Sequence, residues 1–385
     1  MRKLIFAFSI ILSCSCLPAQ TGNEDKKPDF KGLERRLTTL WQQDEFVGLE
    51  MYIEQGGNAL YHHAIGWRDK ERNEEAVPGG IYNIRSMTKP MAGALVQMYI
   101  DRGEINLEDK ASQYLEVFNN PKTQHITIED LLLHRAGYEQ GQPGRPWMQY
   151  DNLQEMAKYW GKQGPSLPND QRWSYADAHA DIIGAILERH TSKKAGELLE
   201  AELLDKLNLK STYAAKTTNA KLIQSTMPAY RGGRGNWACR WRAEDGPFYD
   251  FTMYAQSAFG TAKDYARFMR IYLNKGTMDG KRIISEEGVR RTFANRQPLE
   301  VPKSMFPLSE GKSVYYGHFW GFTAGEEDSP NDLPYLFMHQ GSDGTSAYAF
   351  PDNDLIIIVL TQSRGMTVLP TIEKALKEYV LAAYE

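Results

Sequence analysis

Ile81-Tyr82-Asn83-Ile84-Arg85-Ser86-Met87-Thr88-Lys89-Pro90, running on into Met91-Ala92-Gly93-Ala94-Leu95-Val96-Gln97-Met98-Tyr99-Ile100, is the stretch whose reading decides the fold. Its first five residues are extended in character. After Lys89 the apolar residues recur at helical rather than alternating spacing. The break falls at Ser86, a favoured N-cap residue, and Pro90 sits in the first turn, where a missing N–H costs little. A helix is therefore expected to start near Ser86. Residues three apart on a helix lie about 5–6 Å apart at Cβ, so the Lys89 amine reaches the Ser86 hydroxyl. The positive end of the helix dipole also favours negative charge developing there. A nucleophile, a base and a favourable field coincide, and the chemistry they suit is acyl transfer.

The same spacing occurs at Ser309-Glu310-Gly311-Lys312, but in a polar, glycine-containing segment with no helix after it. That copy reads as coincidence. For the first copy alone, an ordinary capped helix with a solvated lysine fits as well, so the rest of the chain must decide.

At 385 residues the chain can bury a large core in two or three structural units. A formal charge of -4 gives no electrostatic reason to expect nucleic acid as a partner. Arg2 and Lys3 precede an apolar run, Leu4 to Leu12, too short to span a bilayer, and small residues follow. Residues 1–19 thus read as an export signal, with a periplasmic or envelope destination. Cleavage after Ala19 would release a soluble protein, whereas Ile11-Leu12-Ser13-Cys14 resembles a lipoprotein site that would tether the chain to the membrane through Cys14 or Cys16. Only Cys239 remains in the mature region, so no internal disulfide is expected.

Lys31 to Gln43 reads as an amphipathic helix. Phe46 to Gln55 and Leu60 to Arg68 read as strands joined by Gly56-Gly57-Asn58, a hairpin signal. The same grammar returns near the far end, with strands Ser346 to Phe350 and Leu355 to Thr361 and a closing helix, Thr371 to Tyr384. Between these ends, Ile126 to Leu133, Ala180 to His190 and Gly196 to Leu204 have helical periodicity. The expectation is an α+β protein: one antiparallel sheet built from both ends (residues 28–105 and 255–385) and flanked by helices, with a mostly helical insertion at residues 106–254.

Four blocks, Arg85-Ser86-Met87-Thr88-Lys89-Pro90, Leu131-Leu132-Leu133-His134-Arg135-Ala136-Gly137-Tyr138, Trp173-Ser174-Tyr175-Ala176-Asp177 and His339-Gln340-Gly341-Ser342-Asp343-Gly344-Thr345, stand in the order found in serine β-lactamase-related hydrolases. The chain resembles that family over nearly its whole mature length. The family includes class C β-lactamases, D-alanyl-D-alanine peptidases, family-eight esterases and oligomer amidases. The resemblance implies a β-lactamase/transpeptidase-like fold and a covalent acyl-enzyme on Ser86, with Lys89 and Tyr175 sharing the proton transfers. It also implies an oxyanion hole from the Ser86 and Ser342 N–H groups, with Gly341 and Gly344 allowing close approach along the strand edge. Tyr150-Asp151-Asn152 imitates the tyrosine block but lacks the helix that follows Ala178.

Two departures matter. Asp177 stands where β-lactamases carry asparagine, and His339-Gln340-Gly341 replaces lysine-threonine-glycine. An ionised Asp177 beside Lys89 would keep the lysine protonated and shift the base role toward Tyr175. With His339 in place of lysine, the site loses the permanent cation that receives a substrate carboxylate beside the scissile bond. A small ester or amide then suits the site better than a penicillin or a D-alanyl peptide. His339 also fits a strand histidine satisfied by a backbone carbonyl. Arg231, Arg234, Arg240 and Arg242 alternate with glycines, Trp237 and Trp241 in a segment without helical or strand periodicity. It reads as a loop in which guanidinium groups and indoles, Trp237 among them, hold acidic or sugar-containing substrates.

Other classes fit less well. The eight histidines include no H-E-x-x-H, and His62-His63 point to opposite faces of a strand, so neither metal nor another cofactor is expected. No G-x-S-x-G elbow occurs either. A binding protein that kept the fold and lost turnover is the remaining rival.

Overall fold

The computed structural model describes residues 27–141, 147–168, 172–295, 297–301, 306, 308–309, 311–325 and 329–384. The export signal, with Cys14 and Cys16, lies outside the described residues.

The two ends of the chain do share one antiparallel sheet. Its eight strands run in the order Ser313–Tyr316, Gly321–Ala324, Leu336–Gly341, Thr345–Phe350, Leu355–Thr361, Gly48–Gln55, Asn58–Asp69 and Glu74–Glu75. The junction between the ends is the pairing of Gly48–Gln55 with Leu355–Thr361, in which Met51 faces Val359 and Ile53 faces Ile357. Leu355–Thr361 is apolar up to Leu360 and buried at every position, as a strand covered on both faces must be. Leu355, Ile357 and Val359 share a core with the helices Phe30–Gln42 and Val368–Tyr379. Ile356, Ile358 and Leu360 share another with the helices Thr88–Asp101 and Ala262–Leu273. Each such side chain contributes about 1.5–3 kcal/mol by burial, so this strand ties the two ends of the chain firmly together.

The insertion is built around the helix Asp177–Thr191, buried without interruption from Ala178 to Glu188. Short helices surround it. Thr127 caps Ile128–Leu132 by accepting from the Asp130 N–H at 3.1 Å. Asn152, from the imitation tyrosine block, caps Leu153–Gln163. That block therefore starts a helix away from the candidate site.

Two expectations are corrected. Ser86 is not an N-cap: Arg85–Met87 form a 3₁₀ turn and the α-helix begins at Thr88. The cause is Arg85, whose φ of 50° puts a sharp reversal immediately before Ser86. The arginine-rich segment is not a loop but a hairpin of the strands Ala229–Gly233 and Asn236–Trp241. The first of these pairs in parallel with Ser363–Arg364.

Candidate active site

Ser86 lies partly exposed on the 3₁₀ turn, at the floor of a cleft of about 800 Å³. Lys89, one residue into the helix, is fully buried beneath it. Its Nζ donates to Ser86 Oγ at 3.3 Å, to Asp177 Oδ1 at 2.6 Å and to the Ala255 carbonyl at 2.9 Å. Lys89 and Ser86 both act on the Tyr175 phenol, and Lys89 Nζ stands 4.8 Å from the centre of its ring. Ser86, Lys89, Tyr175 and Asp177, which lie 88 residues apart from Lys89 to Asp177, are thus one contact cluster.

The charges in the cluster follow from its partners. Burial works to lower the Lys89 pKa, but Asp177 and Tyr175 outweigh it and raise it above the ordinary lysine value. Burial works to raise Asp177, yet the ammonium beside it holds the carboxyl below its usual range. Burial also raises the Tyr175 phenol, only partly offset by Lys89. At rest the cluster holds an ammonium, a carboxylate and a neutral phenol. Asp177 opens its helix, where the dipole favours negative charge. Gln140 clamps it there, accepting from the Asp177 N–H at 3.0 Å and donating to Oδ2 at 3.1 Å.

The turn Gly341–Gly344 closes the cluster on the sheet side. A Cβ on Gly341 would stand 2.5 Å from the Ile84 carbonyl and 2.2 Å from Thr345 Oγ1, so only glycine lets the sheet approach the Ser86 turn. Gly344 has φ 78°, a left-handed value, and turns the chain back into the next strand. Among the described residues none accepts from the Ser86 or Ser342 N–H, and both serines line the cleft. A buried ion pair keys the two turns together: Arg85 Nε donates to Asp343 Oδ2 at 2.6 Å, with side chains 4% and 3% exposed. Arg85 also donates to the Tyr249 hydroxyl at 2.7 Å and stacks on Phe248.

His339 lines the cleft behind Tyr175. Its Nδ1 lies 2.8 Å from the Gln340 carbonyl and its Nε2 3.3 Å from the Tyr316 hydroxyl. Burial, aided by Lys89, pushes its pKa down to about 3, so it is a neutral imidazole. Trp237 is placed elsewhere than expected. It is 8% exposed, donates from Nε1 to the Asp44 carbonyl at 2.9 Å and packs in the helix-covered core behind Gly232 and Gly365, which line the cleft in its place.

Several contributors escaped the sequence reading. Gln140 sits in a polar loop and the Ala255 carbonyl is backbone, so neither carries a signal. Asp181 does: one turn after Asp177 on the same helix, it accepts from the Ala255 N–H at 3.0 Å and so fixes the peptide that receives Lys89. Burial and the neighbouring Asp177 push its pKa up to about 8.

This sheet, its helical insertion and the serine–lysine–tyrosine cluster define a β-lactamase/transpeptidase-like protein. The chain belongs to the Beta-lactamase family of serine hydrolases, which it matches over residues 33–380. It is 25% identical to Protein Rv1367c of Mycobacterium tuberculosis over 366 residues, covering 86% of each chain. It is 26% identical over 187 residues to the Teichoic acid D-alanine hydrolase of Staphylococcus aureus, covering 49% of this chain and 45% of the other. Among solved structures it is similar to EstCE1, a hydrolase with promiscuous acyltransferase activity, with a TM-score of 0.73, 16% identity and coverage of 90% and 97% of the two chains.

Proposed function

We propose that the chain hydrolyses a small ester or amide through a covalent acyl-enzyme on Ser86. The observation that carries the proposal is the contact of Ser86, at the base of an open cleft, with a buried lysine and a phenol. Ser86 Oγ attacks the substrate carbonyl, and the oxyanion that forms is received by the Ser86 and Ser342 N–H groups. Collapse breaks the bond to the alcohol or amine, which leaves with a proton from the cluster. Water then attacks the ester carbonyl and restores Ser86. Hydrolysis through an acyl-enzyme is in keeping with EstCE1, a hydrolase with promiscuous acyltransferase activity, and with the teichoic acid D-alanine hydrolase among the similar proteins. The neutral His339, standing where a lysine would receive a carboxylate, favours substrates that lack one beside the scissile bond.

The test is a fluorophosphonate or nitrophenyl-ester probe read by intact mass. A single adduct that Ser86→Ala abolishes supports the proposal. No adduct on folded protein overturns it in favour of a binding protein, and rapid turnover of a chromogenic cephalosporin would overturn the substrate preference.

Because the resting cluster carries a protonated Lys89 and a neutral Tyr175, Ser86 can lose its proton only after the cluster has released one. Activity is therefore expected to rise with pH. Asp177 raises both Lys89 and Tyr175, so Asp177→Asn lowers both and moves the rising limb to lower pH, by roughly one pH unit or more. Profiles of kcat/KM for native and variant enzyme check this, and superimposable limbs would remove the role given to Asp177.

Gly341→Ala forces the strand away from the Ile84 carbonyl and separates the two amides. A loss of about 10²-fold in kcat is expected, with far-UV dichroism intact. A loss confined to KM would instead mean that the oxyanion hole lies elsewhere.

A further inference from the structure

The arginines of the Ala229–Trp241 hairpin and the segment after it divide into two sets. Arg234 pairs with Glu45 at 3.2 Å, and Arg242 donates to Asp69 at 2.7 Å and to Glu71 at 3.1 Å. Both are neutralised where they lie. Arg231 and Arg240 have no carboxylate among the described residues, nor does Arg364. Arg231 and Arg364 line the Ser86 cleft. The same two residues, now with Arg240, line an adjoining cavity of about 480 Å³.

The acids nearby are already engaged. Asp343, in the adjoining cavity, is held by Arg85 at 2.6 Å. Glu373, in the cleft, accepts from Gln340 Nε2 at 2.7 Å and from the Tyr348 hydroxyl. Arg231 and Arg364 are moreover direct partners across the parallel strand pair, and like charges set opposite each other across strands repel. A chain with a net charge of -4 thus keeps two exposed, uncompensated cations in the Ser86 cleft and a third in the cavity adjoining it.

We propose that Arg231, Arg240 and Arg364 form an anion subsite that receives a carboxylate or phosphate carried by the substrate at a distance from the scissile bond. The inference rests on the hydrolase reading and names the class of substrate: an anionic ester or amide. Guanidinium forks match the paired oxygens of either group and bind them in bidentate fashion. The charge that the family carries at position 339 as lysine is absent here, and these three cations supply a receptor for charge elsewhere along the cleft. The apolar wall of Trp173, Tyr316, Phe306 and Met338 receives the uncharged remainder.

The experiment compares kcat/KM for 4-nitrophenyl butyrate, mono-4-nitrophenyl glutarate (anion on the acyl chain) and 3-carboxy-4-nitrophenyl butyrate (anion on the leaving group). At least one anionic ester is expected to exceed the neutral one by roughly tenfold or more at low salt, an advantage that added salt erodes. Arg231→Gln/Arg364→Gln should lower that ratio at least tenfold, whereas Arg234→Gln, paired with Glu45 outside the cleft, should preserve it. No anionic preference, or a ratio insensitive to the double variant, overturns the proposal. Calorimetric titration of native and double-variant protein with glutarate and with phenyl phosphate needs no turnover and distinguishes carboxylate from phosphate. If no ester is hydrolysed, the hydrolase reading falls, and this titration alone decides the subsite: weaker anion binding by the double variant upholds it, and equal or absent binding ends it.

Discussion

Ser86→Ala is expected to lower the turnover of any ester the protein hydrolyses by about 10⁴–10⁶-fold, and adding Lys89→Met or Tyr175→Phe to it is expected to cost almost nothing more. The reason is the shared target: Lys89 donates to Ser86 Oγ and the Tyr175 phenol is coupled to the same oxygen. Groups that work on a single atom fail together. What survives in Ser86→Ala is whatever the Ser86 and Ser342 amides and the cleft contribute to water attack. Single-turnover kinetics on the three single variants and the two doubles would measure this. Losses that multiply would mean that the lysine or the phenol acts on something other than Ser86.

Arg85→Met is expected to destabilise the fold by about 3–5 kcal/mol, the usual cost of stranding one partner of a buried ion pair. Asp343 is 2% exposed, and its Oδ1 has no hydrogen-bond partner among the described residues. The variant also removes the side chain whose bonds hold position 85 at φ 50°. Holding such a conformation costs about 1–3 kcal/mol. Arg85→Met/Asp343→Ala should recover part of the stability, because no charge is left buried, yet recover no activity, because the two amide-bearing turns are no longer keyed. Urea unfolding beside kcat measurements separates the two effects. If activity returned along with stability in the double variant, the ion pair would have no part in aligning the turns.

The sheet was legible in the sequence because its strands obey local rules: a Gly-Gly-Asn hairpin near one end, and near the other a continuous β-branched run that only a doubly covered strand tolerates. The Ser86 cluster was legible because its members carry reactive side chains in recognisable surroundings. The exact start of the helix was not, since the reversal at Arg85 depends on Asp343 and Tyr249, which lie 258 and 164 residues further along the chain. The hairpin at Ala229–Trp241 was hidden by its glycines and arginines. Its signal was nonetheless present in Trp237, Cys239 and Trp241, which alternate with Asn236, Ala238 and Arg240. Reading that alternation would also have turned Trp237 toward the core and left Arg240 for the cavity that adjoins the cleft.

The pairing of Gly48–Gln55 with Leu355–Thr361 sets when the sheet can first close. During synthesis the early strand waits, one long edge open, until almost the whole polypeptide has emerged, and the Ser342 amide arrives only shortly before its partner strand. Contacts of such sequence separation form slowly and leave an edge open to mispairing in the meantime. A polypeptide that ends short of residue 355 lacks the strand that joins the two ends of the sheet, so on the hydrolase reading it is expected to be inactive.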